Sequence, residues 1–99
     1  MNEQMITTLR NFFATKQIDK AWIFGSYARR EENSDSDIDI MISFEDNKTM
    51  GLKFFGMWRE LENLLGKNVD LVTEQNLLPF AEKTAQKDKI LIYERTNQR

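Results

Sequence analysis

The chain has no cysteine and no histidine, and only one proline and four glycines in 99 residues. Without cysteine there is no disulfide framework and no thiol nucleophile, a composition suited to a reducing compartment, so a cytoplasmic location is expected. The lack of histidine excludes His-based triads and leaves a zinc site without its usual ligands. Acid–base or metal chemistry must therefore fall to carboxylates, lysine or tyrosine. Positive charge is not in excess either: 14 Lys and Arg stand against 16 Asp and Glu. With that balance, direct binding of a nucleic-acid polymer is not expected. No apolar run approaches a membrane span, and Met1-Asn2-Glu3-Gln4 lacks the basic and apolar regions of a signal peptide. No membrane partner is expected.

What is present is ordinary for a soluble globular chain, with 40% hydrophobic and 30% charged residues. The length suits a single domain over residues 1–99, burying roughly 60–68% of its unfolded surface. Met5, Ile6, Leu9, Phe12 and Phe13 recur at helical spacing and predict a helix over roughly 3–15. Ala21 to Phe24 is an apolar run, read as a central strand. Ser26 to about Glu32 is helix-competent, ended by Asn33-Ser34. Asp37 to Phe44 alternates, with Ile38, Ile40, Ile42 and Phe44 on one face and Asp37, Asp39, Met41 and Ser43 on the other. Leu52, Phe55, Trp58, Leu61, Leu64 and Leu65 stripe a helix over about 50–65, capped by Thr49 and stopped by Gly66. Asn68 to Val72 reads as a third strand, Glu74 to Lys87 as a helix with Pro79 in its first turns, and Ile90 to Tyr93 as a last strand.

This alternation predicts an α/β (α+β) sandwich with a small mixed sheet and flanking helices. Two features of residues 25–39 point to its chemistry. Gly25 lets backbone approach a ligand closely and Ser26 adds a hydroxyl beside free amides, which suits a phosphate. Asp37 and Asp39, at i and i+2 of a strand, share a face and suit Mg²⁺, which prefers oxygen ligands and substrate phosphates. If both serve one nucleotide, the first two strands run antiparallel. The second strand, the long helix and the third strand then form a parallel β-α-β unit that carries Asp70 to the same carboxylates. Each feature has a plainer reading: Asp37, Asp39 and Asp70 as solvated strand residues, Gly25-Ser26 as a strand-to-helix turn. Arg29 meets either a phosphate or a surface partner such as Glu32 or Asn33. Arg30 and Lys53 read as surface cations, Tyr27 as a partly buried ring, Trp22 and Trp58 as core, and Asp35 as a loop cap.

The stretch Gly25-Ser26 to Asp37-Ile38-Asp39 resembles the G-S-x10-D-x-D signature of the DNA polymerase beta-like nucleotidyltransferase superfamily. The likeness includes Ala28-Arg29 after the Gly-Ser and Ser36 before the first Asp. More narrowly the chain is similar to the minimal nucleotidyltransferases, small bacterial proteins of which many are antitoxins encoded beside a HEPN-family toxin. Members often have Gly where Arg30 stands. The resemblance implies a polymerase beta-like core and Mg²⁺-dependent transfer of AMP from ATP to a hydroxyl. It implies Gly25, Ser26 and Arg29 on the nucleotide, and Asp37, Asp39 and Asp70 as metal-binding and catalytic carboxylates. The acceptor it implies is a tyrosine on a HEPN toxin partner. A small-molecule enzyme of the aminoglycoside-modifying kind, completed as a homo-oligomer, and an antitoxin acting by binding alone are the alternatives.

Overall fold

A computed structural model of the chain describes residues 3–16, 18–33, 36–44, 52–74 and 88–95. The elements run α1 (Glu3–Ala14), β1 (Ile18–Phe24), α2 (Gly25–Ala28), β2 (Ile38–Phe44), α3 (Leu52–Leu65), β3 (Val69–Thr73) and β4 (Ile90–Glu94). The helix expected over 74–87 lies, beyond Glu74, outside the described residues, as does the cap at Thr49. The four strands form one mixed sheet in the order β3-β2-β1-β4. β1 is antiparallel to β2 and to β4, and β2 is parallel to β3. The expected strand directions therefore hold.

The core follows from the alternation. Ile38, Ile40, Ile42 and Phe44 of β2 are buried with Leu9 and Phe13 of α1 and Met57 and Leu61 of α3. Met41 and Ser43, on the face opposite the isoleucines, are buried as well. Met41 pairs in register with the buried Trp22, outside the main cluster. Beyond its acidic start, β2 is thus covered on both faces, as inner strands often are.

The inward face of α3 departs from expectation. Phe55 and Leu64 are 62% and 50% exposed, while Phe54, Met57, Trp58, Leu61 and Leu65 face the core. A run at a constant spacing of three drifts around a helix that turns every 3.6 residues, so only mixed steps of three and four stay on one side. Gly66 does end the helix: its φ is +65° and its N–H donates to Glu62 O at 2.8 Å.

Two side chains of α3 fasten it to the sheet. Trp58 Nε1 donates to Val69 O at 2.6 Å, and Glu62 Oε2 accepts from Val69 N at 2.9 Å. Leu61, fully buried between these anchors, should be a sensitive position. Leu61→Ala is expected to cost roughly 2–5 kcal/mol in a denaturant titration, a large share of the ~5–15 kcal/mol typical of a domain.

Candidate active site

The site begins where β1 stops. Phe24 is extended (φ −145°, ψ −176°) and Gly25 turns sharply with φ +72°. A Cβ built on Gly25 would collide with Asp39 Oδ2. Glycine is therefore needed here twice over, for its backbone angle and because a carboxylate occupies the space of a side chain. The turn leads into α2, which packs against β1 and β2 and buries Tyr27.

α2 ends at Ala28, earlier than the sequence predicts, because the chain closes on itself. Glu31 N–H donates to Ser26 O at 2.8 Å, Arg30 N–H to Tyr27 O at 3.3 Å, and Arg30 has φ +60°. These are the paired bonds and left-handed residue of a Schellman motif, whose left-handed position is usually glycine. That is the physical reason a glycine suits the position of Arg30, which is exposed and is no part of a continuing helix.

The carboxylates arrive by register. Asp39 lies opposite Asp70 in the parallel β2–β3 pairing and opposite Phe24 across β1. Asp37 sits one residue before β2 and is exposed, in a turn where Asn33 N donates to Ser36 Oγ at 2.9 Å. Asp39 is half-buried, and its carboxyl is pushed up to about 6. Burial is the largest cause, followed by a hydrogen bond with Asp70 and the charges of Asp70 and Asp37; Arg29 pulls the other way. The structure thus brings Gly25, Asp39, Asp70 and Asp37 together. Among the described residues no three carboxylates close into a finished metal cage. Asp39 and Asp70 share a hydrogen bond, and Asp37 acts on the pair by its charge.

Arg29 is held by acids that the sequence reading did not name. Its Nε donates to Glu31 at 2.8 Å and its Nη1 to Asp88 at 2.7 Å. These two hydrogen bonds are the main reasons its pKa is raised. Glu31 is a near neighbour, but Asp88 lies 59 residues away and no local pattern marks it. Lys53 is remote: it lies in the first turn of α3 beside Phe54, whose ring meets Phe44 at the far end of β2. Asp35 lies outside the described residues.

Two expectations follow. Replacing Arg30 with Gly relieves left-handed strain of roughly 1–2 kcal/mol, partly offset by about 0.5–1 kcal/mol of glycine entropy. Arg30→Gly should therefore melt at or above the wild-type temperature, and Arg30→Val, β-branched, clearly below it. The raised carboxyl of Asp39 makes the folded state hold its proton more tightly than the unfolded chain. Its contribution to stability is therefore fully present below pH 4 and lost as pH rises through about 6. Asp39→Asn should raise the melting temperature of metal-free protein at pH 7 and do little at pH 4.

The chain matches the polymerase beta nucleotidyltransferase family over residues 7–98. Protein adenylyltransferase MntA of Thermococcus cleftensis is 38% identical over 84 residues, covering 85% of this chain and 81% of that protein. A Methanocaldococcus jannaschii relative, provisionally named a protein adenylyltransferase, is 42% identical over 74 residues, 75% of this chain and 73% of its own. A solved chain from a toxin–antitoxin crystal structure with AMP-PNP superposes with a TM-score of 0.78 at 17% identity, covering 92% of this chain and 74% of that one. A chain from the complex of tri-AMPylated Shewanella oneidensis HEPN toxin with MNT antitoxin gives 0.74 at 16% identity, covering 96% and 74%. At those identities the structural likeness speaks to the fold, whereas the sequence match spans nearly the whole chain, which belongs to the polymerase beta nucleotidyltransferase family.

Proposed function

We propose that this protein is an adenylyltransferase that moves AMP from ATP to a tyrosine hydroxyl of a HEPN-family toxin partner and thereby acts as an antitoxin. The observation that carries the reading is the meeting of Asp39 and Asp70 in register beneath Gly25. It joins a backbone turn able to approach phosphate to carboxylates able to manage charge and a proton. The relative named protein adenylyltransferase MntA and the neighbouring complex with a tri-AMPylated HEPN toxin support the choice of group and acceptor.

The donor set is chemically right for a hard divalent cation. All its members are carboxylate oxygens, and the Asp39 carboxyl is raised first by burial, then by its hydrogen bond with Asp70 and the negative charges of Asp70 and Asp37, which a cation would offset. Mg²⁺ keeps several waters and is held by one or two carboxylates plus substrate phosphates, so a complete protein cage is not needed. Asp37, Asp39 and Asp70 would hold the cation, which supplies neutralisation of triphosphate charge. Gly25 and Ser26 offer backbone amides and a hydroxyl to the triphosphate. Arg29, anchored by Glu31 and Asp88, sets positive potential beside Asp39 and reaches phosphate only by exchanging a partner.

In the reaction the tyrosine oxygen bonds to the α-phosphorus and the bridge from the α- to the β-phosphate breaks. Pyrophosphate leaves with that electron pair. The phenolic proton passes to a carboxylate, a role that falls to Asp70 as the exposed member of the pair. Positioning and electrostatics supply most of the rate in such transfers.

The test is intact-mass spectrometry of a HEPN-family toxin from the same genome, incubated with the enzyme, ATP and Mg²⁺. Each transfer should add one AMP. Chelation of divalent ions should abolish the adduct, and Asp39→Asn should slow it roughly a thousandfold, equivalent to about 4 kcal/mol. A partner that is silenced without gaining mass would show an antitoxin acting by binding alone; adenylylation of an aminoglycoside and of no protein would show the small-molecule enzyme.

A further inference from the structure

We propose that the cavity between the start of β2 and the C-terminal end of α3 is the acceptor subsite, and that it takes an extended polar segment of the acceptor protein flanking the modified hydroxyl. The inference rests on the protein-adenylylation reading above and adds where the acceptor docks. The cavity measures about 590 Å³, and Ser36, Asp37, Asn63, Lys67 and Asn68 are among its lining residues. Only Asp37 among these belongs to the carboxylate edge.

Position decides which substrate the cavity serves. Gly25 and Ser26 hang from β1 and close over Asp39 from the β1 side of β2. β3 lies on the other side of β2 in the sheet. The cavity is built from the residues entering β2, the last turn of α3 and the link into β3, where Asn68 O accepts from Ile38 N at 3.1 Å. In phosphoryl transfer the attacking and leaving oxygens lie roughly in line. With the pyrophosphate end on the Gly25 side, the attacking oxygen arrives from the β3 side of β2, past Asp37, the residue shared by the carboxylate edge and the cavity.

Chemistry narrows the occupant. Asn63 and Asn68 offer both donors and acceptors, Lys67 a cation and Ser36 a hydroxyl. The lining is polar almost throughout, which suits peptide backbone and polar side chains better than a buried aromatic ring. A second nucleotide would set its phosphates against Asp37 and Glu62, and a polycationic small molecule would meet Lys67. Glu62 also receives Val69 N at 2.9 Å, so it serves as a wall of the cavity.

Asn63 is exposed on α3 and takes no part in the carboxylate site, so bulk can be added there without touching the core. The experiment measures KM and kcat for adenylylation of the HEPN-family toxin that the wild-type enzyme modifies, with ATP affinity and melting temperature measured alongside. Asn63→Trp should raise the acceptor KM about tenfold or more, leaving kcat, ATP affinity and melting near wild type, the pattern of lost ground-state binding. Asn63→Ala, which removes one amide and adds no bulk, should raise the acceptor KM by no more than a few-fold. Asn68→Tyr, from the neighbouring wall, should reproduce the Trp effect and guards against a local folding defect at Asn63. An unchanged acceptor KM in both bulky variants overturns the subsite while adenylyl transfer stands. Weakened ATP affinity in both would give the cavity to the nucleotide and overturn it too. A wild-type enzyme that modifies no protein removes the underlying reading, and the subsite with it.

Discussion

The parallel pairing of β2 with β3 is the constraint on which the site depends. It sets Asp39 opposite Asp70, two carboxyls that would separate in water. A slip of one residue would turn Asp70 to the other face of the sheet and dissolve the pair. What prevents the slip is apolar: Ile38, Ile40, Val69 and Leu71 are buried in one cluster with Met57 and Leu61 of α3. Burial of that order, at roughly 25 cal/mol per Å², outweighs the repulsion between partly solvated acids. The core therefore holds the carboxyls together, and Asp39 responds by retaining its proton towards pH 6.

The second requirement is a turn with no side chain in it. Gly25 leaves the space that Asp39 Oδ2 fills, so the end of β1 and the start of β2 interlock through an atom that is missing. Two residues past the end of α2 the chain turns back again, and there the local rule is broken, since Arg30 carries the left-handed angle that glycine takes at low cost. Local strain of this kind persists when its surroundings over-determine it. Here the bonds from Glu31 to Ser26 and from Arg30 to Tyr27 do so.

Much of this was legible in the residues. The apolar runs at β1 and β2 located two adjacent strands, alternation placed Asp70 on a usable face, and the spacing from Gly25 to Asp39 joined them. Other features were not. The early end of α2 is normally signalled by a glycine, and Arg30 hides it. The buried face of α3 was misread because a string of apolar residues at intervals of three looks continuous in sequence but spirals away in space. Burial of Met41 and Ser43 depends on what packs over the sheet, which alternation within one strand does not encode. The pairing of Arg29 with Asp88 joins residues 59 apart, a separation at which only the folded sheet supplies the neighbour.

β3 is an outer strand, and outer strands expose a ladder that another chain can extend. At the end nearest the carboxylates that ladder is already engaged, because both backbone groups of Val69 are taken by side chains of α3: its N–H by Glu62 and its C=O by Trp58. Helix side chains thus stand where a neighbouring strand would bond. The same two contacts that fix α3 to the sheet shield the acidic end of the molecule from edge-to-edge aggregation, and leave that end reachable by side chains without offering it as a template.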